Sequence, residues 1–132
     1  MSNAIFDKAR EAFLTGKIDW LGDTIKAALC RGTKPDVEAD EHLSDISTVA
    51  LSEPLTGKTA KDGVAAAASI LFRDLTADNV DCLVIFQDTR DPKTSRLIAC
   101  IDTLATGTFP VSGNGGDIQI MWDRGANRIF KL

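Results

Sequence analysis

Two short apolar runs separated by a polar link constrain the fold of this chain more than any other feature. The runs lie at residues 82–86 and 97–101, and the link between them contains Pro92 and several charged residues. Runs of four or five apolar residues bounded by turn formers are typical of strands buried on both faces, because a buried helix needs ten or more residues before its first breaker. The pattern predicts a β-hairpin at the centre of a sheet.

Shorter strand patterns occur before and after this hairpin. Alternating apolar and polar residues predict a half-exposed strand at 24–30 and another strand at 47–52, with Val49 and Leu51 on its buried side. The alanines of residues 64–72 favour helix, whereas the glycine before them and the β-branched and aromatic residues around them allow strands, which we predict here. Two last strands are predicted at 117–122 and 128–132.

One helix is predicted at the beginning of the chain, over about residues 3–15. Asn3 is a suitable N-cap, Phe6 and Ala9 belong to one apolar face, and Gly16 stands where a left-handed C-terminal cap would follow. The expected fold is therefore mainly β: a β-sandwich or open barrel of short antiparallel strands with one N-terminal helix. All 132 residues are expected to form one β-rich domain, with strands from about residue 23 to residue 132.

Charge and cysteine content exclude several classes of protein. The net charge is −4, with acidic and basic residues interspersed, whereas a nucleic-acid-binding protein needs a basic face. The apolar runs are far too short to span a membrane. Cys30, Cys82 and Cys100 cannot all pair within the chain, and none lies in a C-x-x-C motif. We therefore expect no nucleic acid and no membrane as partners, and reduced thiols in a cytoplasmic product.

The motif most suggestive of chemistry is Thr56-Gly57-Lys58-Thr59, which matches the end of a phosphate-binding loop. The complete pattern requires a glycine where this chain has Ser52, and Pro54 lies inside the would-be loop, where backbone N–H groups should hold phosphate. No parallel α/β pattern appears elsewhere in the sequence. A polar turn between strands is the better interpretation.

Catalytic and metal-binding residues are not indicated either. His42 is the only histidine, and its neighbours Glu41, Ser44 and Asp45 lie too close along the chain to form a triad. One histidine and scattered thiols do not predict a zinc site, and the loop aspartates are typical turn residues. The sequence therefore predicts a protein that is not an enzyme and has no metal, no cofactor and no catalytic residues.

Several motifs, in order along nearly the whole chain, resemble a family of small structural proteins of tailed bacteriophages. The closing motif is the most specific of them. The motifs are Asn3-Ala4-Ile5-Phe6-Asp7, Ala12-Phe13-Leu14, Ile18-Asp19-Trp20, His42-Leu43-Ser44-Asp45-Ile46, Leu55-Thr56-Gly57-Lys58-Thr59, Ser95-Arg96-Leu97-Ile98-Ala99 and the closing Gly115-Gly116-Asp117-Ile118 with Trp122-Asp123-Arg124-Gly125-Ala126-Asn127-Arg128-Ile129-Phe130-Lys131-Leu132.

The resemblance implies a virion component that is made in the cytoplasm of a bacterial host. A capsid-surface decoration or head-fibre subunit is the expected role, with other virion proteins, such as the major capsid protein, as partners. The alternative is a tail-associated module that binds the host surface or a glycan. Neither the residues nor the resemblance separates a position on the head from one on the tail.

The end of the chain predicts contact between copies. Trp122 ends an apolar face, and Ile129, Phe130 and Leu132 follow on an edge-like final strand. An apolar edge invites uncontrolled pairing unless a defined assembly closes it, and homo-oligomers usually close by point symmetry. We predict a homo-oligomer that uses these four residues. The resemblance to phage proteins implies a trimer. The alternative is that Phe130 and Leu132 cap the core of their own chain.

Overall fold

The structure is a computed structural model, and it describes residues 4–31, 35–72, 80, 82–101, 103–104, 107–108, 118–122 and 129–131. These residues form one α-helix, one short 3₁₀ helix and antiparallel strands. The fold is therefore mainly β with short strands and one helix near the beginning of the chain, as the sequence predicts.

The elements are numbered in chain order. The helix α1 spans Asp7–Leu14, and the 3₁₀ helix spans Leu43–Asp45. The strands are β1 Ala4–Ile5, β2 Ile25–Cys30, β3 Thr48–Leu51, β4 Thr59–Lys61, β5 Val64–Ala66, β6 Ile70–Phe72, β7 Cys82–Gln87, β8 Leu97–Ile101, β9 Thr103–Leu104, β10 Gly107–Thr108, β11 Ile118–Ile120 and β12 Phe130–Lys131.

The largest sheet has five strands in the order β1–β8–β7–β2–β3, and β7 is its central strand. Strands β7 and β8 pair directly, with Leu83 opposite Ile101 and Val84 opposite Cys100. The predicted hairpin is thus confirmed. Every residue from Cys82 to Phe86 is fully buried, because both faces of the central strand are covered. These apolar side chains provide much of the hydrophobic core.

The beginning of α1 differs from the prediction. The helix begins at Asp7, and its N-cap is Phe6, which makes no side-chain cap hydrogen bond. The preceding residues Ala4 and Ile5 are extended instead, because they pair with β8 as an edge strand. The prediction that Asn3 caps the helix was therefore wrong. Because Ala4 and Ile5 pair with β8, they are not available for an earlier turn of the helix.

The end of α1 is as predicted. Gly16 has a φ of +74°, a left-handed conformation that costs glycine least. The N–H of Gly16 donates to the carbonyl of Phe13 (3.3 Å), and the N–H of Lys17 donates to the carbonyl of Ala12 (2.8 Å). This pair of hydrogen bonds is a Schellman motif. It turns the chain out of the helix and into the loop that contains Trp20.

The strand predicted at 24–30 is not half-exposed. Ala28 and Cys30 are buried along with Ala27 and Leu29, and Lys26 is the one residue of β2 that is partly exposed. The reason is the position of β2 between β7 and β3, where both faces of the sheet are covered. Small side chains such as alanine fit either environment, so alternation in the sequence was a weak guide here.

The burial of β3 also differs from the prediction. Leu51 was expected on the buried side of the strand, but it is 53% exposed. The pairing of β2 with β3 shifts register between Leu29 and Cys30. Ser52 takes a buried position next to the strand. Its hydroxyl oxygen accepts a hydrogen bond from the N–H of Ala27 (2.9 Å), and its N–H donates to the carbonyl of Ala27 (2.8 Å). A polar residue thus continues the sheet where an apolar one was expected.

The segment 64–72 contains two strands, β5 and β6, and no helix, as predicted, but residues 67–69 between the strands belong to neither. Strands β4 and β5 make a hairpin whose turn residues, Asp62 and Gly63, have φ values of 52° and 79°. Two successive residues at positive φ are the mark of a type I′ turn, whose twist suits a two-residue hairpin. Strand β12 pairs with the other side of β5, and β6 pairs with β11. The predicted final strands are thus present, although each is shorter than the sequence suggests.

Candidate interaction surface

Strands β4, β5 and β12 form a small sheet that we call the alanine sheet, because Ala60, Ala65 and Ala66 lie at its centre. Ala65 pairs with Ala60 on one side and with Phe130 on the other. A methyl group covers much less of a sheet face than a leucine or valine side chain does. Two pockets adjoin the alanine sheet.

The first pocket, called the helix-side pocket, has a volume of about 400 Å³ and lies between the alanine sheet and the loop after α1. Phe13, Trp20 and Phe130 form its aromatic wall. The rings of Trp20 and Phe130 meet edge to face, with centroids 5.3 Å apart. The indole N–H of Trp20 donates to the carbonyl of Thr59 (3.1 Å), which ties the loop to β4. The pocket is thus preformed and mostly apolar, as ligand and side-chain pockets usually are.

The second pocket, called the tryptophan pocket, has a volume of about 360 Å³. Trp122, Met121 and Ile129 line it together with Ala66 and Ala67. The indole N–H of Trp122 donates to the carbonyl of Ala68 (3.0 Å), so its one polar group is satisfied and the ring is fixed. Sequence reasoning did not identify either pocket. The run of alanines at residues 65–68 was the signal, because small side chains on paired strands leave such space.

The residues predicted to join copies form walls of these pockets. Phe130 lines the helix-side pocket, and Trp122 and Ile129 line the tryptophan pocket. They are only 7%, 8% and 2% exposed, because each packs into the core of its own chain. Leu132 lies outside the described residues. Strand β12 is an edge of the alanine sheet, and the role of these residues between copies stays a prediction.

Four large apolar side chains are exposed on the described part of the surface. Leu14 is 87% exposed at the end of α1, and Leu21, which lines the helix-side pocket, is 56% exposed. Leu51 and Leu71 both line a smaller cavity between β3 and β6. Exposed leucines next to a pocket mark a surface suited to contact with another protein.

The ion pair between Lys26 and Asp88 stabilises the fold beside the central sheet. The Lys26 ammonium lies 2.9 Å from the Asp88 carboxylate, and both side chains are largely buried. Burial by itself raises the pKa of Asp88. This effect is smaller than the combined lowering by the hydrogen bond from Lys26, the hydrogen bond from the backbone N–H of Arg90, and the positive charges of Lys26 and Arg90. The pKa of Asp88 therefore lies below its ordinary value. This carboxylate is held ionised as part of the fold.

His42 does not belong to a catalytic arrangement in the structure. The carboxylate of Asp45 accepts the backbone N–H groups of His42 (2.9 Å) and Glu41 (3.1 Å), which caps the 3₁₀ helix. These two hydrogen bonds lower the pKa of Asp45. The imidazole of His42 lies 4.0 Å from the Glu41 carboxylate at the surface. The carboxylate of Asp45 thus has a structural role in the fold.

The segment that resembles a phosphate-binding loop has a different structure. Gly57 has a φ of +60°, and the chain continues directly into β4, where a phosphate-binding loop would lead into a helix. The Lys58 ammonium donates to the backbone carbonyl of Asp23 (2.5 Å). This lysine therefore connects the turn before β4 to the loop before β2, which agrees with the interpretation of the motif as a polar turn.

Two further observations concern the described residues only. They contain no group of three or more histidine, cysteine, aspartate or glutamate side chains placed to hold a metal ion. None of the helices in this part of the chain is long and apolar enough to cross a membrane.

No protein-family model, no curated protein and no solved structure matches this chain.

Proposed function

We propose that this protein is a structural component of a tailed-bacteriophage virion, either a capsid-surface decoration or a head-fibre subunit. It is made in the host cytoplasm and assembles as a symmetric homo-oligomer, for which the phage resemblance implies three copies. It attaches to other virion proteins such as the major capsid protein. The proposal begins from sequence motifs that resemble those of phage structural proteins, and the pockets beside the alanine sheet support it.

The observation that carries the proposal is the pair of apolar pockets on the alanine sheet. A protein that attaches to other proteins needs apolar surface that is held rigid and left open. The helix-side pocket and the tryptophan pocket meet this need, since hydrogen bonds fix the indole rings of Trp20 and Trp122. Leu21 lines the first pocket and is 56% exposed, so it adds accessible apolar surface there. Rigid aromatic and aliphatic groups of this kind dominate the energy of protein interfaces.

The charged groups support the same role. The two carboxylates with lowered pKa values, Asp45 and Asp88, are used to cap a 3₁₀ helix and to pair with Lys26. Lys58 is used to join two loops. These groups hold the scaffold together, and they lie outside the linings of the two pockets. The helix-side pocket is therefore left mostly apolar, with Asp19 as the one charged residue of its lining, and such a surface suits contact with another protein.

Quantitative mass spectrometry of purified virions tests this proposal. The virions must come from the phage or prophage whose genome encodes this chain. We expect the protein in the particle, with a copy number close to that of the major capsid protein for a decoration protein. A few copies per particle would instead favour the tail-associated module that binds a receptor or glycan. Absence of the protein from purified virions would refute the structural role.

A further inference from the structure

We propose that the helix-side pocket is a binding site for a small apolar amine, a molecule that joins one aromatic ring or branched aliphatic group to a protonated amino group. The pocket volume of about 400 Å³ lies within the range of small-molecule sites, which is about 300–1,000 Å³. Binding of a free molecule here goes beyond the proposed function, and it leaves the tryptophan pocket open to other proteins.

Contacts between distant parts of the chain hold the aromatic wall of the pocket in place. The ring of Phe130 packs against the rings of Phe13 and Trp20, with centroid distances of 6.1 Å and 5.3 Å. The indole N–H of Trp20 already donates to the carbonyl of Thr59 (3.1 Å). The wall therefore offers apolar ring surface, and its indole N–H needs no partner from a ligand. A pocket that is preformed in this way loses little conformational freedom when a ligand enters.

Four small residues of the lining leave room for a ring or a branched chain. They are Gly16, Ala60, Gly63 and Ala65. A Cβ placed on Gly16 would have no described heavy atom within 4 Å apart from its chain neighbours, so the space beside this residue is open. Gly16 and Gly63 have φ values of 74° and 79°, a conformation that favours glycine, so both positions keep this space clear of side chains. An apolar group that fills the space is removed from water together with the lining.

The charge of the lining selects a cation. Asp19 is the one charged residue that lines the pocket, and it is exposed. Its Oδ1 accepts the N–H of Leu21 (3.2 Å), which holds the side chain in a turn, and no described residue donates to its Oδ2. Lys17 and Lys61 are next to lining residues in the sequence but do not line the pocket themselves. A protonated amine therefore complements this site, and a net charge of −4 on the chain also favours a cation over an anion.

An NMR titration with three probes of matched shape tests the proposal. The probes are 2-phenylethylamine, 2-phenylethanol and 3-phenylpropionate, which differ in charge but carry the same ring. The chain has two tryptophans, so it gives two indole N–H signals. We expect the amine to shift the signal of Trp20 and to leave that of Trp122 in place. The amine should bind about two- to fivefold more tightly than the alcohol, as an exposed ion pair allows, and the acid most weakly.

Three variants separate the charge from the cavity. Asp19→Asn keeps an oxygen that accepts the N–H of Leu21 but removes the charge, so it should abolish the preference for the amine over the alcohol. The matched control is Asp36→Asn, because Asp36 accepts the N–H of Glu38 (3.0 Å) in the same kind of turn and lies outside the lining. It should change neither affinity. Ala60→Phe, at an exposed position of β4, fills the pocket and should weaken the amine and the alcohol alike, by at least about tenfold.

Several results would overturn the proposal. One is a Trp20 signal that no probe shifts, or a Trp122 signal that shifts equally. Another is an acid that binds wild-type protein as tightly as the amine does, or an amine preference that survives in Asp19→Asn. The blocked peptide N-acetyl-Phe-Lys-amide is a fourth probe: if it bound more than about tenfold tighter than the amine, the occupant would be a protein segment and the small-molecule assignment would be wrong. None of these results bears on the copy number in virions, so the two proposals can fail separately.

Discussion

Replacement of Phe86 by alanine tests whether the β7–β8 hairpin is the centre of the core. Phe86 is fully buried on the central strand of the five-stranded sheet. Its partners across the strands are Lys26 on β2 and Leu97 on β8, and both are held in the ladders of the sheet. Because Phe86 is fully buried and its neighbours are fixed in the sheet, loss of the phenyl ring should leave a cavity in the core.

The expected cost follows from that cavity. Truncation of a buried phenylalanine to alanine destabilises a protein by about 3–5 kcal/mol. Domains of this size have free energies of unfolding of about 5–15 kcal/mol, so the variant should remain folded but lose a large part of its stability. With an m-value of about 2 kcal/mol/M, the urea midpoint should fall by about 2 M.

Equilibrium unfolding in urea, followed by tryptophan fluorescence, measures this change. Trp20 and Trp122 lie beside the alanine sheet, so they report on unfolding at a distance from the substituted residue. Lys93→Ala, in the exposed loop between β7 and β8, is the control and should stay within about 0.5 kcal/mol of the wild type. A cost for Phe86→Ala below that of the loop variant would refute the assignment of the hairpin to the core.

Three other predictions concern charge, thiols and nucleotides. Asp88 has a lowered pKa in the folded protein, so its stabilising contribution is complete above the unfolded pKa of about 3.9 and is lost as the pH falls through the lower folded value. Urea unfolding of Asp88→Asn should therefore show a deficit at pH 7 that shrinks below about pH 4, and a pH-independent deficit would contradict this. All three thiols should be found reduced by mass spectrometry under non-reducing conditions. Cys30 and Cys82 are opposite each other in neighbouring strands, so a bridge between them is the one to look for, and finding it would contradict this prediction. Calorimetry should detect no binding of ATP or GTP, because Lys58 is bonded to a backbone carbonyl, and micromolar binding abolished by Lys58→Ala would refute this.

The parts of the fold that the sequence predicted are those with strong local signals. The hairpin at 82–101 has a short apolar run on each side of a polar link. Runs of this length are buried as strands of a sheet. Gly16 follows the last turn of α1, where a left-handed residue is needed, and the structure has one there. Short-range chemistry determines both features, so they could be recognised without knowledge of distant contacts.

The errors occurred where tertiary contacts decide between local alternatives. Ala4 and Ile5 suit a helix, but pairing with β8 makes them a strand, and the sequence near Asn3 contains no sign of that partner. The register shift opposite Leu29 turns Leu51 outward and brings Ser52 inward. A shift of one residue reverses the faces of a strand, and alternation alone cannot reveal it.

The pockets on the alanine sheet were beyond the reach of the sequence for a different reason. Alanine at residues 65–68 was considered only as a choice between helix and strand. The pockets exist because β5 lies between β4 and β12, with aromatic rings from distant parts of the chain at the edges. Trp20 and Phe130 are more than one hundred residues apart in the chain, so their contact depends on the completed fold.

Cryo-electron microscopy of intact virions is the most direct test of the proposed role. Particles from the wild-type phage should be compared with particles from a phage in which this gene is deleted. We expect density on the outer surface of the wild-type capsid, of a size that fits copies of this β-rich domain, and its loss from the deletion particles. Capsids and tails that are identical in the two preparations would contradict the proposal that this protein is a structural component of the virion.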